Sequence, residues 1–199
     1  MQIGQGVPPC AQLADVWETD RINVLFVCTA NQCRSPMAEE LLRERFVARG
    51  IDDAHVGSAG MLEGGMPVSD NARIVVPGCD GYVSQRLDTH LIDAADVVIA
   101  MARGHLREVA VRSPDALAKT FTLRELVRRA EQAGTRRHDE PLDEWLARLA
   151  ADRRPSDELG DDPDDDIDDP IGGPLEEYRR IAREIDDLLE RFVDLAWPR

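Results

Sequence analysis

The stretch Cys28-Thr29-Ala30-Asn31-Gln32-Cys33-Arg34-Ser35-Pro36 stands between an apolar run, Ile22-Asn23-Val24-Leu25-Phe26-Val27, and a segment with Met37, Ala38, Leu41, Leu42 and Phe46 at helical spacing. The apolar run is β-branched and aromatic enough to form a short buried strand. The segment after the stretch reads as a helix with Ser35 as N-cap and Pro36 at its first position. A strand, a tight loop and a helix in that order aim several backbone N–H groups, and the positive end of the helix dipole, at one small volume. Such a volume attracts anions.

Within that volume a Cys and an Arg separated by five residues carry a specific chemistry. Cys28 sits at the centre of the ring of N–H groups, where the helix terminus and Arg34 favour its thiolate and make the sulfur a nucleophile. The planar guanidinium of Arg34 matches two oxygens of a phosphoryl group and can follow them into the transition state. Ser35 can hydrogen-bond the thiolate and ease its departure. Asn31 holds the loop, since its amide tolerates left-handed backbone. The plain alternative is a pair of buried cysteines, Cys28 and Cys33, at a strand end. The strand before and the Ser-Pro and helix after favour the functional reading. Release of an ester oxygen also needs a proton, and no His lies near this loop in sequence. Asp169-Pro170 is the expected donor. Pro fixes the backbone after the acid, Gly172-Gly173 lets the chain turn, and acidic neighbours disfavour ionisation. Asp162-Pro163 competes, and the other acids between Ser156 and Pro170 read as a solvated spacer.

The 199 residues suit one α/β domain, with a loose arm over 1–20, a body over 21–199 and a helical insertion at about 123–166. With 39 acidic against 24 basic residues the formal charge is -15, which argues against nucleic acid or anionic membrane surfaces as partners. There is no apolar run long enough to span a bilayer, and the first twenty residues lack signal-peptide order, so a cytoplasmic location is expected. Four scattered cysteines do not make a secreted disulfide framework, and none has zinc-ligand spacing with His; no metal or other cofactor is called for. Further strands are expected at His55–Gly60, Asp96–Met101 and, with a weaker signal, Lys119–Thr122. Helices are expected at Ser69–Val76, Leu123–Gln132 and Pro141–Asp152, and a closing amphipathic helix carries Leu175, Tyr178, Ile181, Ile185, Leu188, Leu189, Phe192 and Val193. This alternation favours a parallel sheet covered on both faces, with ligands at the carboxyl ends of its strands.

The segments Val27 to Glu39, Ser58-Ala59-Gly60, Ala95 to Met101 and Asp169-Pro170-Ile171-Gly172-Gly173 together resemble the low-molecular-weight protein tyrosine phosphatase family. The resemblance implies a flavodoxin-like parallel sheet with helices on both faces and hydrolysis of phosphomonoesters through a phosphocysteine, without a metal. It assigns Cys28 as nucleophile, Arg34 as phosphate binder and Asp169 as acid and then base. Thr29, Ala30, Asn31, Gln32, Cys33, Ser35 and Ile171 surround the substrate, and Ser58 supports the loop. It also implies a reversible Cys28–Cys33 disulfide that protects the nucleophile. The departures fall on substrate-facing loops. Ile171 stands where an aromatic usually follows Asp-Pro, Met61 to Gly65 offers no aromatic, and Tyr82 to Arg86 stands where a supporting His is common. The expected substrate is a phosphorylated protein or a small phosphoester, with phosphotyrosine first and phosphoarginine as an alternative. A thioredoxin-coupled arsenate reductase would need two cysteines after Cys33, where only Cys79 follows. A non-catalytic phosphoprotein-binding module would be expected to lack Cys28, Arg34 or Asp169.

Overall fold

The computed structural model describes residues 21–154, 160 and 162–199. The arm over 1–20, with Cys10, and part of the acidic segment (155–159 and 161) lie outside the described residues. Four strands, β1 (Ile22–Cys28), β2 (Ala54–Gly60), β3 (Val97–Ala100) and β4 (Thr120–Thr122), form one parallel sheet in the order β2-β1-β3-β4. This is the order of a flavodoxin-like sheet, whose switch point lies between β1 and β3, where successive crossovers leave on opposite faces.

Side chains alternate along β1, and the alternation builds two cores. Val24, Phe26 and Cys28 join a large cluster with α1 (Arg34–Arg49), α2 (Asp70–Val75), α5 (Leu123–Ala133), α6 (Leu142–Ala150) and the closing α7 (Leu175–Ala196). Leu25 and Val27 face a smaller cluster with α3 (Thr89–Ala94) and α4 (Arg103–Arg112). A strand with every side chain buried reads as a continuous apolar run, which explains why β1 and β3 are legible in the sequence. Each fully buried Leu, Ile or Phe contributes about 1.5–3 kcal/mol relative to exposure.

Strand and helix ends differ from expectation by one or two residues, and one difference is chemical. Helix α1 begins at Arg34, with Cys33 at the N-cap and no side chain capping it. Ser35 is therefore inside the first turn, and its hydroxyl is free for the cysteine rather than for the helix. Gly50 ends α1 in left-handed conformation (φ 67°), as its position after Arg49 suggests. The expected insertion helices are α5 and α6. They bury Leu126, Val127, Trp145, Leu146 and Leu149 in the core that contains Phe26.

The acidic segment is not simply a solvated spacer. Asp165 is fully buried, and Arg103 Nη2 donates to it at 2.5 Å while Arg128 pairs with its other oxygen. Burial alone would push the Asp165 carboxyl up; Arg128 and Arg103 outweigh it and hold it below the usual carboxylate range. The same segment is tied to the end of β3 by Arg103 N–H to Asp166 Oδ1 (2.7 Å) and Ile167 N–H to Met101 O (2.9 Å).

Candidate active site

The loop after β1 is fixed by backbone contacts with the end of β2. In register, Cys28 lies opposite Gly60, and a Cβ on Gly60 would sit 2.7 Å from Asn31 N and 2.8 Å from Ala30 C. Only glycine lets the loop approach so closely. Met61 N–H and Leu62 N–H donate to Thr29 O at 2.7 and 3.0 Å. Asn31 is the one non-glycine residue with positive φ (53°) among those described, in agreement with its expected tolerance of that conformation.

Two groups of the loop meet the sulfur. Cys28 is 3% exposed; Ser35 Oγ stands 3.0 Å from its Sγ, and Asn31 N–H donates to it at 3.3 Å. Arg34, 5% exposed, donates from Nη1 to Ile167 O (2.9 Å) and from Nη2 to Asp169 Oδ2 (2.5 Å), with Thr29 Oγ1 at 3.4 Å from Nη2. Its Nε is buried without an acceptor among the described residues, a donor that suits an anion in the loop.

Asp169 reaches this point across 135 residues of sequence. Its Oδ1 accepts from Ile171 N–H (3.2 Å) in an Asx turn, and Gly172 takes φ 76° to carry the chain onward. The acidic neighbours do not face it as expected: Asp168 pairs with Arg180 at 2.7 Å, and the group opposite Asp169 is the Arg34 guanidinium. Asp162 does not come to the loop; its carboxylate accepts from Asp164 N–H (3.2 Å) and caps the short 3₁₀ turn Pro163–Asp165.

The other expected residues divide by role. Ser58 and Ser35 are buried behind the loop and share the Asn31 amide. Thr29 is exposed, Ala30 and Gln32 are half-buried, and Gln32 O accepts from Ser69 N–H (2.9 Å). Ile171 is 54% exposed on the Asp169 loop. Cys28, Cys33 and Cys79 are free thiols. Cys33 Sγ faces Ser69 Oγ (3.2 Å) and Tyr178 OH (3.5 Å), and burial pushes its thiol up. Among the described residues, no three His, Cys, Asp or Glu side chains converge to hold a metal ion.

One site residue escaped sequence reasoning. His105, in the first turn of α4, places Nε2 3.0 Å from Thr29 Oγ1. Burial, then the nearby charge of Arg34, lowers its pKa to about 4, so the ring is neutral at pH 7. It is far from Cys28 in sequence, and only the parallel pairing of β1 with β3 brings the two strand ends together.

A strand-end cysteine, a guanidinium six residues on and a carboxylate from a distant loop are what a phosphoryl-transfer site needs. Residues 23–144 match the family model described as low molecular weight phosphotyrosine protein phosphatase. The chain belongs to the low molecular weight protein phosphatases. The matched segment contains the Cys28 loop and ends before Asp169. Among relatives of this phosphatase, a protein-arginine-phosphatase of Geobacillus stearothermophilus is 33% identical over 175 residues, covering 86% of this chain and 93% of that protein. A low molecular weight protein-tyrosine-phosphatase of Acinetobacter johnsonii is 32% identical over 105 residues, 51% of this chain and 71% of that protein. The solved arginine phosphatase YwlE of G. stearothermophilus superposes with a TM-score of 0.64 at 31% identity, covering 87% of this chain and 91% of that one. The T. tengcongensis low molecular weight protein tyrosine phosphatase gives 0.64 at 30% identity, with 87% and 98% covered. The phosphocysteine mechanism is general to this family, and no helix among the described residues is long and apolar enough to cross a membrane.

Proposed function

We propose that this phosphatase cleaves phosphorylated protein side chains with Cys28 as nucleophile, Arg34 as phosphate binder and Asp169 as acid and base. The observation that supports the assignment is the 2.5 Å contact between Asp169 and Arg34, which joins the distant acidic loop to the cysteine loop. The thiolate of Cys28 attacks phosphorus; the S–P bond forms, the bond to the leaving group breaks, and Asp169 gives that group its proton. Water then attacks phosphorus and loses a proton to Asp169, the S–P bond breaks, and phosphate and thiolate are released with Ser35 donating to the sulfur. The incoming dianion competes with Asp169 for Arg34 Nη2, which frees the carboxylate for proton transfer. Residues 21–199 act as one catalytic unit in this reading, supported by the shared core of α5, α6 and β1. The scattered cysteines suit a reducing, cytoplasmic setting.

Phosphotyrosine remains the first substrate reading, and phosphoarginine is the second. One observation favours the second: Ile171 presents an exposed aliphatic side chain on the acid loop, where a phenol ring finds no aromatic partner to stack on. Two of the chain's relatives named protein-arginine-phosphatase, those of G. stearothermophilus and Bacillus subtilis at 33% and 30% identity, align over more of this chain than the tyrosine phosphatase of A. johnsonii. Matched peptides carrying phosphotyrosine or phosphoarginine, assayed on the reduced enzyme and on Cys28→Ser, test both levels. The larger kcat/KM names the substrate, and turnover by Cys28→Ser removes the mechanism.

A further inference from the structure

The side chain of Asp169 rests on Arg34 Nη2 at 2.5 Å. A phosphoryl group bound in the cysteine loop takes that guanidinium for itself, so during the reaction the carboxyl has to be kept in place by its backbone. The bond it accepts from Ile171 N–H lies within its own loop and moves with it. Asp168 pairs with Arg180 at 2.7 Å, but both side chains are roughly half exposed, and a pair of that kind fixes little. Past Asp169, Pro170 is buried, and Asn71 Nδ2 donates to Gly173 O at 3.3 Å on the far side of the left-handed Gly172.

The denser set of contacts lies before Asp169. Arg103, the first residue of α4, grips two consecutive acids: its N–H donates to Asp166 Oδ1 (2.7 Å), and its Nε and Nη2 donate to Asp165 Oδ2 (3.1 and 2.5 Å). Ile167, 1% exposed, donates its N–H to Met101 O (2.9 Å), and its own carbonyl accepts from Arg34 Nη1 (2.9 Å). Residues 165–167 therefore connect the end of β3, the phosphate binder and, two residues on, the acid. Helix α5 completes the arrangement from the other side. Arg128 pairs through Nη1 with Asp165 Oδ1 and donates from Nη2 to Oδ2 at 3.3 Å, and Arg124, one turn earlier, donates from Nη1 to Asp164 O at 3.0 Å. A carboxylate as fully buried as Asp165 depends on its guanidinium partners, since water cannot replace one that is removed. The Arg128 side chain is 44% exposed, so shortening it opens no cavity in the core.

We propose that Arg128 is a positioning residue of this phosphatase: through the buried Asp165 it fixes residues 165–167 against the end of β3, and so keeps Asp169 in place to give the leaving group its proton once the phosphate has taken Arg34. The inference rests on Asp169 being the acid. Its test compares kcat/KM on phenyl phosphate, whose phenoxide leaves poorly without a proton, with kcat/KM on 4-nitrophenyl phosphate, whose leaving group needs little help. The proteins are wild type, Arg128→Met, Asp169→Ala and the double variant, all reduced and all checked for folding by circular dichroism. Met keeps an aliphatic stem and the helix propensity of Arg. Arg128→Met lowers kcat/KM about tenfold on phenyl phosphate and about twofold or less on 4-nitrophenyl phosphate. Asp169→Ala lowers the ratio of the two further, and adding Arg128→Met to it leaves that ratio where it stands. Should Arg128→Met not fold, Arg128→Gln takes its place in the same measurements. A wild-type ratio in the folded Arg128 variant, or a ratio that the variant lowers equally with and without Asp169, overturns the proposal while leaving the acid assignment intact. An unchanged ratio in Asp169→Ala removes that assignment, and the role of Arg128 falls with it.

Discussion

Replacing His105 with Gln should make the protein less sensitive to mild acid. The folded state holds the ring at a pKa of about 4 against an ordinary 6.5, so between these values the unfolded chain binds a proton that the folded chain refuses. Stability therefore falls as pH drops from about 6.5 towards 4, and this contribution is constant below 4. The full difference corresponds to about 3 kcal/mol, and about 2 kcal/mol of it is lost between pH 7 and 5. Gln keeps a side-chain oxygen able to accept from the Thr29 hydroxyl but has no proton to gain. The assay is urea unfolding of wild type and His105→Gln at pH 7 and pH 5. Carboxylates titrating in both proteins cancel in the double difference, which isolates the imidazole. Wild type should lose about 2 kcal/mol more than the variant over this interval. Parallel losses would refute the reasoning, since they would mean that the folded protein accepts the proton on His105 beside Arg34 at no cost.

Two further outcomes concern the loops themselves. Asp169→Ala should slow turnover of esters with poor leaving groups by about 10²–10⁴-fold and good ones far less, while Asp162→Ala leaves both unchanged; kcat over a series of aryl phosphates checks this, and a larger effect at Asp162 reverses the assignment. Gly60→Ala forces a methyl group to within 2.7 Å of Asn31 N. Because backbone lies there on the cysteine-loop side, it should cost about 1–3 kcal/mol in denaturant unfolding and most of kcat, and an unchanged kcat would show that the loop is not braced by this contact.

Much of the fold was legible because its signals are local. The apolar runs of β1 and β3 and the periodicity of α7 each depend on burial patterns within a few residues. The weak signal over Lys119–Thr122 proved real: Thr120, Phe121 and Thr122 are fully buried, and Thr120 and Thr122 carry hydroxyls that a pattern of apolar residues undervalues. The acidic segment misled in part, since a run of Asp looks solvated unless the arginines that meet it are known, and Arg103 and Arg128 lie on other helices. Ser35 misled at the cap because a serine before Pro36 fits two hydrogen-bonding tasks, and only the position of Cys28 Sγ chooses between them.

By itself the sequence determined the cysteine loop and its immediate neighbours. Nine consecutive residues from Cys28 to Pro36 must form one loop between a strand and a helix, and short-range geometry leaves their chemistry little freedom. The tertiary structure alone decided which distant side chains complete it. Asp169 rather than Asp162 meets Arg34, and His105 Nε2 stands 3.0 Å from Thr29 Oγ1. Those pairings arise from the strand order β2-β1-β3-β4 and from the buried ion pairs that hold the acidic segment against β3. They are long-range contacts, and no local pattern of residues encodes which of several equivalent carboxylates a compact fold will bring to the loop.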